Sequence, residues 1–265
     1  MDGKTEWMAS EHRVREIEEH ALAAWPAAEL EAFAGWQLRA MSGVSRRANS
    51  VWTGRSEGSP PLELRIEHAE SFYRARALEP SFQISTLCEP PGLDAALAAR
   101  GYLIDAPVSV QVARARELSK LVTSNNVRAE VEQQMSELWF DLSARRGRFA
   151  NVQDVYRGLL SRIGPRARFA TAFVDECPAA VGLGVYGPRW LGICSMFTLP
   201  AYRGRGAASA ILRALSAQAE DRDEPSLYLQ VERDNQAALA LYSRVGFVDH
   251  HGYHYRLRAG TKNPP

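Results

Sequence analysis

The sequence predicts an α+β chain built from two similar halves in tandem, and three observations carry that prediction. The apolar run Trp190–Thr198 reads as a strand that Pro200, lacking an N–H, brings to a stop. The turn Arg203-Gly204-Arg205-Gly206 follows, and then a helix from Ala207 to Leu215 with Ile211, Leu212 and Leu215 on one face. Ser226–Val231 reads as a buried strand leading into a second helix, with Asn235 as its N-cap and Gly246 as its stop. The same order occurs earlier in the chain. Aligning Gly101-Tyr102 with Gly246-Phe247, an offset of 145 residues, brings Phe82-Gln83-Ile84 onto Leu227-Tyr228-Leu229 and Trp52 onto Phe197. One offset that matches two strands and a helix end points to duplication.

The elements follow in order. Residues 10–34 read as helices, with Val14, Ile17 and Leu22 on one face and a break at Pro26. Gly35–Ala40 and Arg46–Trp52 read as strands, and the span from Gly54 to Pro61 is turn-rich, closed by Pro60-Pro61. Leu62–Leu78 is predicted helical from the spacing of Ile66, Ala69, Phe72 and Tyr73, and Pro80 ends it. Ser81–Leu87 is a strand, Leu93–Arg100 a helix stopped by Gly101, and Val108–Ala113 the last strand of this half. Residues 114–127, rich in Ser, Asn, Arg and Lys, read as a linker, which divides the chain into domains over 1–117 and 118–260. Val131–Leu142 and Val152–Ile163 read as helices, with Trp139, Phe140, Tyr156 and Leu159 on their apolar faces. Arg168–Asp175 and Ala179–Tyr186 form a hairpin, and Tyr253–Arg258 is a C-terminal strand followed by a polar tail from Gly260.

The strand–turn–helix at 190–215 aims several backbone N–H groups at one point, where the positive end of the helix dipole favours an anion. Gly204 and Gly206 permit positive φ and close approach of a phosphate, and Arg203 and Arg205 add charge suited to a diphosphate. Two common phosphate loops do not fit. The Gly-Lys-Ser/Thr of a P-loop is absent, and the dinucleotide fingerprint G-x-G-x-x-G fails because Ser209 stands at its third glycine.

The pattern Arg203-x-x-Gly206-x-Ala208 resembles the acyl-CoA pyrophosphate loop of the GNAT superfamily of N-acyltransferases. The run Asn235-x-x-Ala238-x-x-Leu241-Tyr242-x-x-x-Gly246-Phe247 resembles the strand-five and helix-four segment of the same superfamily. The resemblance covers roughly residues 125–258. It implies two GNAT-like domains, each a mixed, mostly antiparallel central sheet flanked by helices. It also implies acetyl-CoA as cosubstrate, with pantetheine against Met196, Phe197 and Thr198 and the diphosphate on Gly204, Arg205, Gly206, Ala207, Ala208 and Ser209. Arg203 and Asn235 are further candidate contacts, and Tyr242 would protonate the departing thiolate. In the first half Gly58, Pro61, Glu63 and Leu97 stand at the positions of Arg203, Gly206, Ala208 and Tyr242, so that half reads as degenerate. No acid lies within Trp190–Thr198, where many members of the superfamily carry a catalytic base. Glu232 and His254 are the remaining candidates, and a solvated Glu and a sheet-packed His are the plainer readings.

A formal charge of +1 gives no bulk field that argues for nucleic acid or an anionic membrane, and no apolar stretch approaches the roughly 18–20 residues of a membrane helix. The N-terminal residues lack a signal-peptide core, so a cytoplasmic location is expected. Cys88, Cys177 and Cys194 are widely spaced, which predicts neither a metal site nor a disulfide framework. The expected activity is transfer of an acetyl group to a primary amine of a small molecule or peptide, by direct attack in a ternary complex. Trp36, Trp52 or Trp139 are candidate walls for the acceptor, and Arg46-Arg47 reads as edge-strand charge. A non-catalytic acyl-CoA sensor and a nucleotide-binding enzyme of another class are the competing readings, and both monomer and homodimer are compatible with the sequence.

Overall fold

The computed structural model describes residues 10–258 except Ser59, Arg146, Arg148 and 221–225, so the polar tail lies outside the described residues. Contacts divide the chain into two units. Unit 1 comprises 1–109, 232–234 and 251–265, and unit 2 comprises 110–231 and 235–250.

Unit 1 opens with α1 (Glu11–Ala24), which Ser10 caps by accepting from the Arg13 N–H at 3.3 Å, and whose Val14 and Ile17 are buried. Its strands are β1 (Glu29–Phe33), β2 (Trp36–Ala40), β3 (Val51–Trp52), β4 (Ser81–Ser85) and the unit 1 ends of β5 (Tyr102–Arg114) and β11 (Val248–Arg258). Its other helices are α2 (Leu62–Arg74) and α3 (Leu93–Ala99). The sheet order is β1-β2-β3-β4-β11-β5. All the pairs whose register is defined are antiparallel except β3 with β4, where Val51 faces Phe82 and Trp52 faces Gln83. Trp36, Leu38, Ile66, Tyr73, Phe82 and Leu97 form the centre of this core.

Unit 2 contains α4 (Ala115–Leu118), β6 (Val127–Glu132), α5 (Glu137–Phe140), α6 (Gln153–Ile163), β7 (Ala167–Val174), β8 (Cys177–Tyr186), β9 (Trp190–Thr198), α7 (Ala207–Glu220), β10 (Ser226–Glu232) and α8 (Gln236–Val245). The last residue of β10 belongs to unit 1. The order is β5-β10-β9-β8-β7-β6, and among the pairs whose register is defined β9 with β10 is parallel. Gly182 on β8 lets the sheet meet α7 closely, because a Cβ there would lie 2.6 Å from Met196 Sδ and 2.7 Å from Ile211 Cγ2. Ile211, Leu212 and Leu215 are fully buried in this core, as their spacing requires.

Several expectations fail at the level of single elements. Residues 29–33 are a strand rather than helix, paired with β2 across the turn Ala34-Gly35, both at positive φ. Arg46–Ala48 is a short 3₁₀ turn, so the predicted strand shrinks to Val51–Trp52. The Asn49 side chain explains this, because it holds the turn by bonding the backbone of Met41, Gly43, Val44 and Ser45. Val127, the last residue of the expected linker, and residues 131–132, the start of an expected helix, belong to one strand that pairs with β7 from Val127↔Val174 to Glu132↔Phe169. The alternation of Val127, Ala129 and Val131 with charged residues was the available signal.

The duplicated order persists, with a correction. The helices that connect the strands of the parallel pairs start at Leu62 and Ala207, and Phe82 corresponds to Leu227, all at the offset of 145. In the preceding strand, however, Val51 pairs with Phe82 as Leu191 pairs with Leu227, so Trp52 corresponds to Gly192 rather than Phe197. Unit 1 reaches its helix through nine residues, Thr53–Pro61, where unit 2 uses fourteen, Ile193–Gly206.

Candidate active site

The extra length in unit 2 shapes the candidate site. Parallel pairing of β9 with β10 runs from Trp190↔Ser226 to Ile193↔Leu229 and ends there, while β9 continues to Thr198. On its other edge β9 stays paired with β8, through Leu183↔Cys194 and Val181↔Phe197, so Ser195 and Met196 together oppose Gly182. This is a β-bulge, and Ser195 carries its strain at φ +49. Beyond Ile193, Cys194 to Thr198 are half-buried and carry backbone groups that β10 does not pair.

The turn after β9 has the geometry its glycines predict. Gly204 has φ +75 and Gly206 φ +87, and no atom lies within 4 Å of a Cβ built on either. The Ala210 N–H bonds the Gly206 carbonyl at 3.0 Å, so the α7 ladder begins there and uses none of the N–H groups of Ala207, Ala208 and Ser209. Arg203 Nε donates to the Thr198 carbonyl at 3.4 Å, folding the turn back on the strand end. Arg205 lies over the Tyr202 ring at 5.7 Å and forms an ion pair with Asp175 of the β7–β8 turn, whose other oxygen accepts from Asn126 Nδ2 at 2.8 Å.

Asn235 caps α8, accepting from the Ala238 N–H at 3.1 Å, and Gly246 ends the helix at φ +105. Tyr242 on this helix is buried and meets Phe247 edge-on at 5.7 Å. Burial, with a smaller contribution from neighbouring Cys194, pushes its phenol up to about 12, so it holds its proton at neutral pH.

Three other expectations change. Glu232 belongs to unit 1, where Arg46 Nη1 holds it at 2.9 Å, and Arg46 Nε lies 2.9 Å from Asp105. His254 lies in the same unit, 2.9 Å from Asp94. Arg46-Arg47 is therefore not edge-strand charge, since Arg46 is ion-paired and Arg47 stacks over Trp25 at 4.4 Å. Trp36, Trp52 and Trp139 do not form exposed walls. All three are buried and donate their indole N–H groups, to the Glu89 carbonyl, to Glu18 and to the Gly182 carbonyl.

Sequence reasoning missed a chain of hydroxyls beside the bulge. Tyr156 on α6 is fully buried, and its hydroxyl lies 2.8 Å from Ser143 Oγ and 2.9 Å from Ser195 Oγ. The available signal was the serine within the otherwise apolar run Ile-Cys-Ser-Met-Phe. Among the described residues no group of three or more His, Cys, Asp or Glu could hold a metal ion, and no helix is long and apolar enough to cross a membrane.

Comparison with known proteins gives the family. A family model described as "Probable histone acetyltransferase Rv0428c C-terminal" matches residues 11–256. The "Uncharacterized N-acetyltransferase YobR" of Bacillus subtilis (strain 168) is 31% identical over 247 residues, covering 92% of this chain and 98% of that protein. Among solved structures, a GCN5-related N-acetyltransferase from Kribbella flavida superposes with a TM-score of 0.71 at 13% identity, covering 96% of this chain and 97% of the other. A tandem GNAT protein from the clavulanic acid biosynthesis pathway gives 0.60 at 14% identity, covering 76% and 70%. These two likenesses are of fold, and the fold is the tandem GNAT arrangement with a mixed central sheet. The chain belongs to the family described as "Probable histone acetyltransferase Rv0428c C-terminal" and is an acyltransferase of the GNAT type.

Proposed function

We propose that unit 2 transfers an acetyl group from acetyl-CoA to a primary amine of a small molecule or peptide, and that unit 1 carries no second coenzyme site. The observation that carries this reading is the end of parallel pairing at Ile193↔Leu229, directly ahead of the Gly204–Ser209 turn. GNAT acetyltransferases use acetyl-CoA, and the residues of unit 2 fit it. Met196, Phe197 and Thr198 offer to the amides of its pantetheine arm the backbone edge that β10 does not pair. The N–H groups of Gly204, Arg205, Gly206, Ala207, Ala208 and Ser209, with Arg203, suit its diphosphate. Asn235 serves α8 as a cap and is a further candidate contact.

The bound thioester supplies an activated acyl group. The chain's own part is to orient the acceptor and to handle protons. Tyr242, whose phenol stays protonated, donates its proton to the departing thiolate. β9 bears no carboxylate, Glu232 is ion-paired with Arg46 and His254 is hydrogen-bonded to Asp94, so deprotonation of the amine is assigned to solvent. The proposed location is the cytoplasm.

The test is to incubate purified protein with acetyl-CoA and a panel of amines (spermidine, glucosamine and a lysine-containing peptide), following free thiol. Amine-dependent thiol release supports the enzyme. Saturable CoA binding without thiol release from any amine favours a sensor, and ATP or NAD binding that CoA cannot displace favours a nucleotide enzyme.

A further inference from the structure

We propose that Ser195 is the hydrogen-bond acceptor for the attacking amine, with its hydroxyl direction set by Tyr156 and Ser143. The inference rests on the acetyl-transfer reading of unit 2, which puts the reacting carbonyl where β9 and β10 part. Ser195 is the second residue beyond the last parallel pair, Ile193↔Leu229, and it is half-buried rather than enclosed. Its φ of +49 is a conformation that a non-glycine residue adopts at a cost, and such strain gathers at functional sites. The bulge adds one residue to the strand and re-aims the side chain there.

Ser195 is linked to two further hydroxyls. Tyr156 Oη lies 2.9 Å from Ser195 Oγ and 2.8 Å from Ser143 Oγ, so three hydroxyls share two links. Their protons can run in either direction. When Ser195 donates to Tyr156 and Tyr156 donates to Ser143, the Ser195 oxygen turns its lone pairs outward and can accept an N–H. This polarity suits a neutral amine, whose N–H groups donate while its lone pair faces the acyl carbon. The chain ends in a serine, so it takes up no proton. It fixes direction: the ammonium loses one proton to water before attack, the nitrogen loses a second to water as the C–S bond breaks, and water returns to Tyr242 the proton it gives the thiolate. Ser195 touches the substrate, while Tyr156 and Ser143 are positioning residues. The Tyr156 ring is itself held by Phe149, stacked at 4.0 Å.

The experiment measures thiol release with the amine of the panel that gives the fastest turnover, together with CoA affinity by calorimetry, for wild type, Ser195→Ala, Tyr156→Phe and the double variant. The chain already carries alanine at φ +50, +53 and +41, at Ala34, Ala77 and Ala106, so the Ser195 backbone tolerates the change, and Phe keeps the Tyr156 stacking. The expected result is a rise in KM for the amine of about tenfold in each single variant, as for a lost hydrogen bond. The double variant should be no worse than the worse single, because both break one chain, and CoA affinity should stay within about twofold. Ser143→Ala should raise the same KM by a smaller factor. Unchanged amine KM in an active enzyme overturns the assignment of Ser195 and leaves acetyl transfer standing. So does an additive loss accompanied by weaker CoA binding, which marks a purely structural role. Wild type that binds CoA but acetylates no amine of the panel overturns the transfer reading and this inference together.

Discussion

In each unit a turn and a helix connect the two strands of a parallel pair, β3 with β4 and β9 with β10, and the two turns present opposite polarity. In unit 2, β9 runs on past its last pair, and the Gly204–Gly206 turn leaves the first N–H groups of α7 outside the helix ladder. In unit 1 the corresponding gap is closed. Thr53 Oγ1 donates to the Gln83 carbonyl at 3.0 Å, and the Glu89 N–H donates to the Thr53 carbonyl at 2.7 Å. The turn ahead of α2 has carbonyls where a phosphate would need donors. Arg65 Nε bonds the Pro60 carbonyl at 2.9 Å, and Nη2 bonds the Gly58 carbonyl at 2.7 Å. Its Nη1 reaches Ser56 Oγ at 2.7 Å and the Ala34 carbonyl at 3.2 Å. The buried guanidinium of Arg65 thus occupies the turn of unit 1, whereas the geometry of unit 2 suits an anion. A five-residue difference in the connection and one arginine separate the two arrangements.

The largest effect expected from this contrast is at Tyr242. Tyr242→Phe keeps the ring and its contact with Phe247 but removes the proton. Turnover should fall by about 10²- to 10⁴-fold with CoA affinity within about twofold, and equal turnover would remove the acid role. In unit 1, Arg65→Met removes the guanidinium from four acceptors, of which the Ala34 carbonyl keeps the Glu57 N–H at 3.1 Å. It should cost about 2–4 kcal/mol in denaturant unfolding and leave CoA affinity unchanged. A loss of CoA binding in this variant without unfolding would break the contrast.

Gly206→Val forces a branched side chain onto φ +87. There is open space around it, so the penalty lies in the backbone, and CoA affinity should fall by roughly 5- to 150-fold, as 1–3 kcal/mol of strain dictates. The smallest effect concerns Asp94, which Arg256 and His254 clasp against β11 in unit 1. The Arg256 hydrogen bond, aided by His254, holds the Asp94 carboxyl down at about 2. Its folded value lies below the unfolded one, so its contribution is present above about pH 4 and is lost as pH falls toward 2. The urea midpoint of wild type should therefore drop more between pH 6 and pH 3 than that of Asp94→Asn.

Much of the candidate site was legible because local rules produce it. Glycines at positive φ, an asparagine cap and an apolar helix face leave marks within a few residues, and Arg203–Ser209, Asn235 and Gly246 stand where those marks put them. The strand β6 was also readable in principle, but the charges between Val127, Ala129 and Val131 outweighed the alternation. Ser195 stands out in its apolar run, but its bulge and its hydroxyl partners Tyr156 and Ser143 were not legible. They join residues 13 and 39 positions apart, and no local pattern encodes such contacts. The closed gap in unit 1 was hidden for the same reason. Pro61 and Glu63 showed that a phosphate loop was missing, but only the fold shows Arg65 gripping the turn.

The most direct measurement is a calorimetric titration with CoA of wild type, Gly206→Val and Gly58→Val, the last placing the same strain at φ +62 in the turn of unit 1. The account predicts one equivalent of CoA per chain, binding sharply weakened by Gly206→Val and untouched by Gly58→Val. Two equivalents, no saturable heat, or a loss that follows Gly58 instead of Gly206 would contradict it.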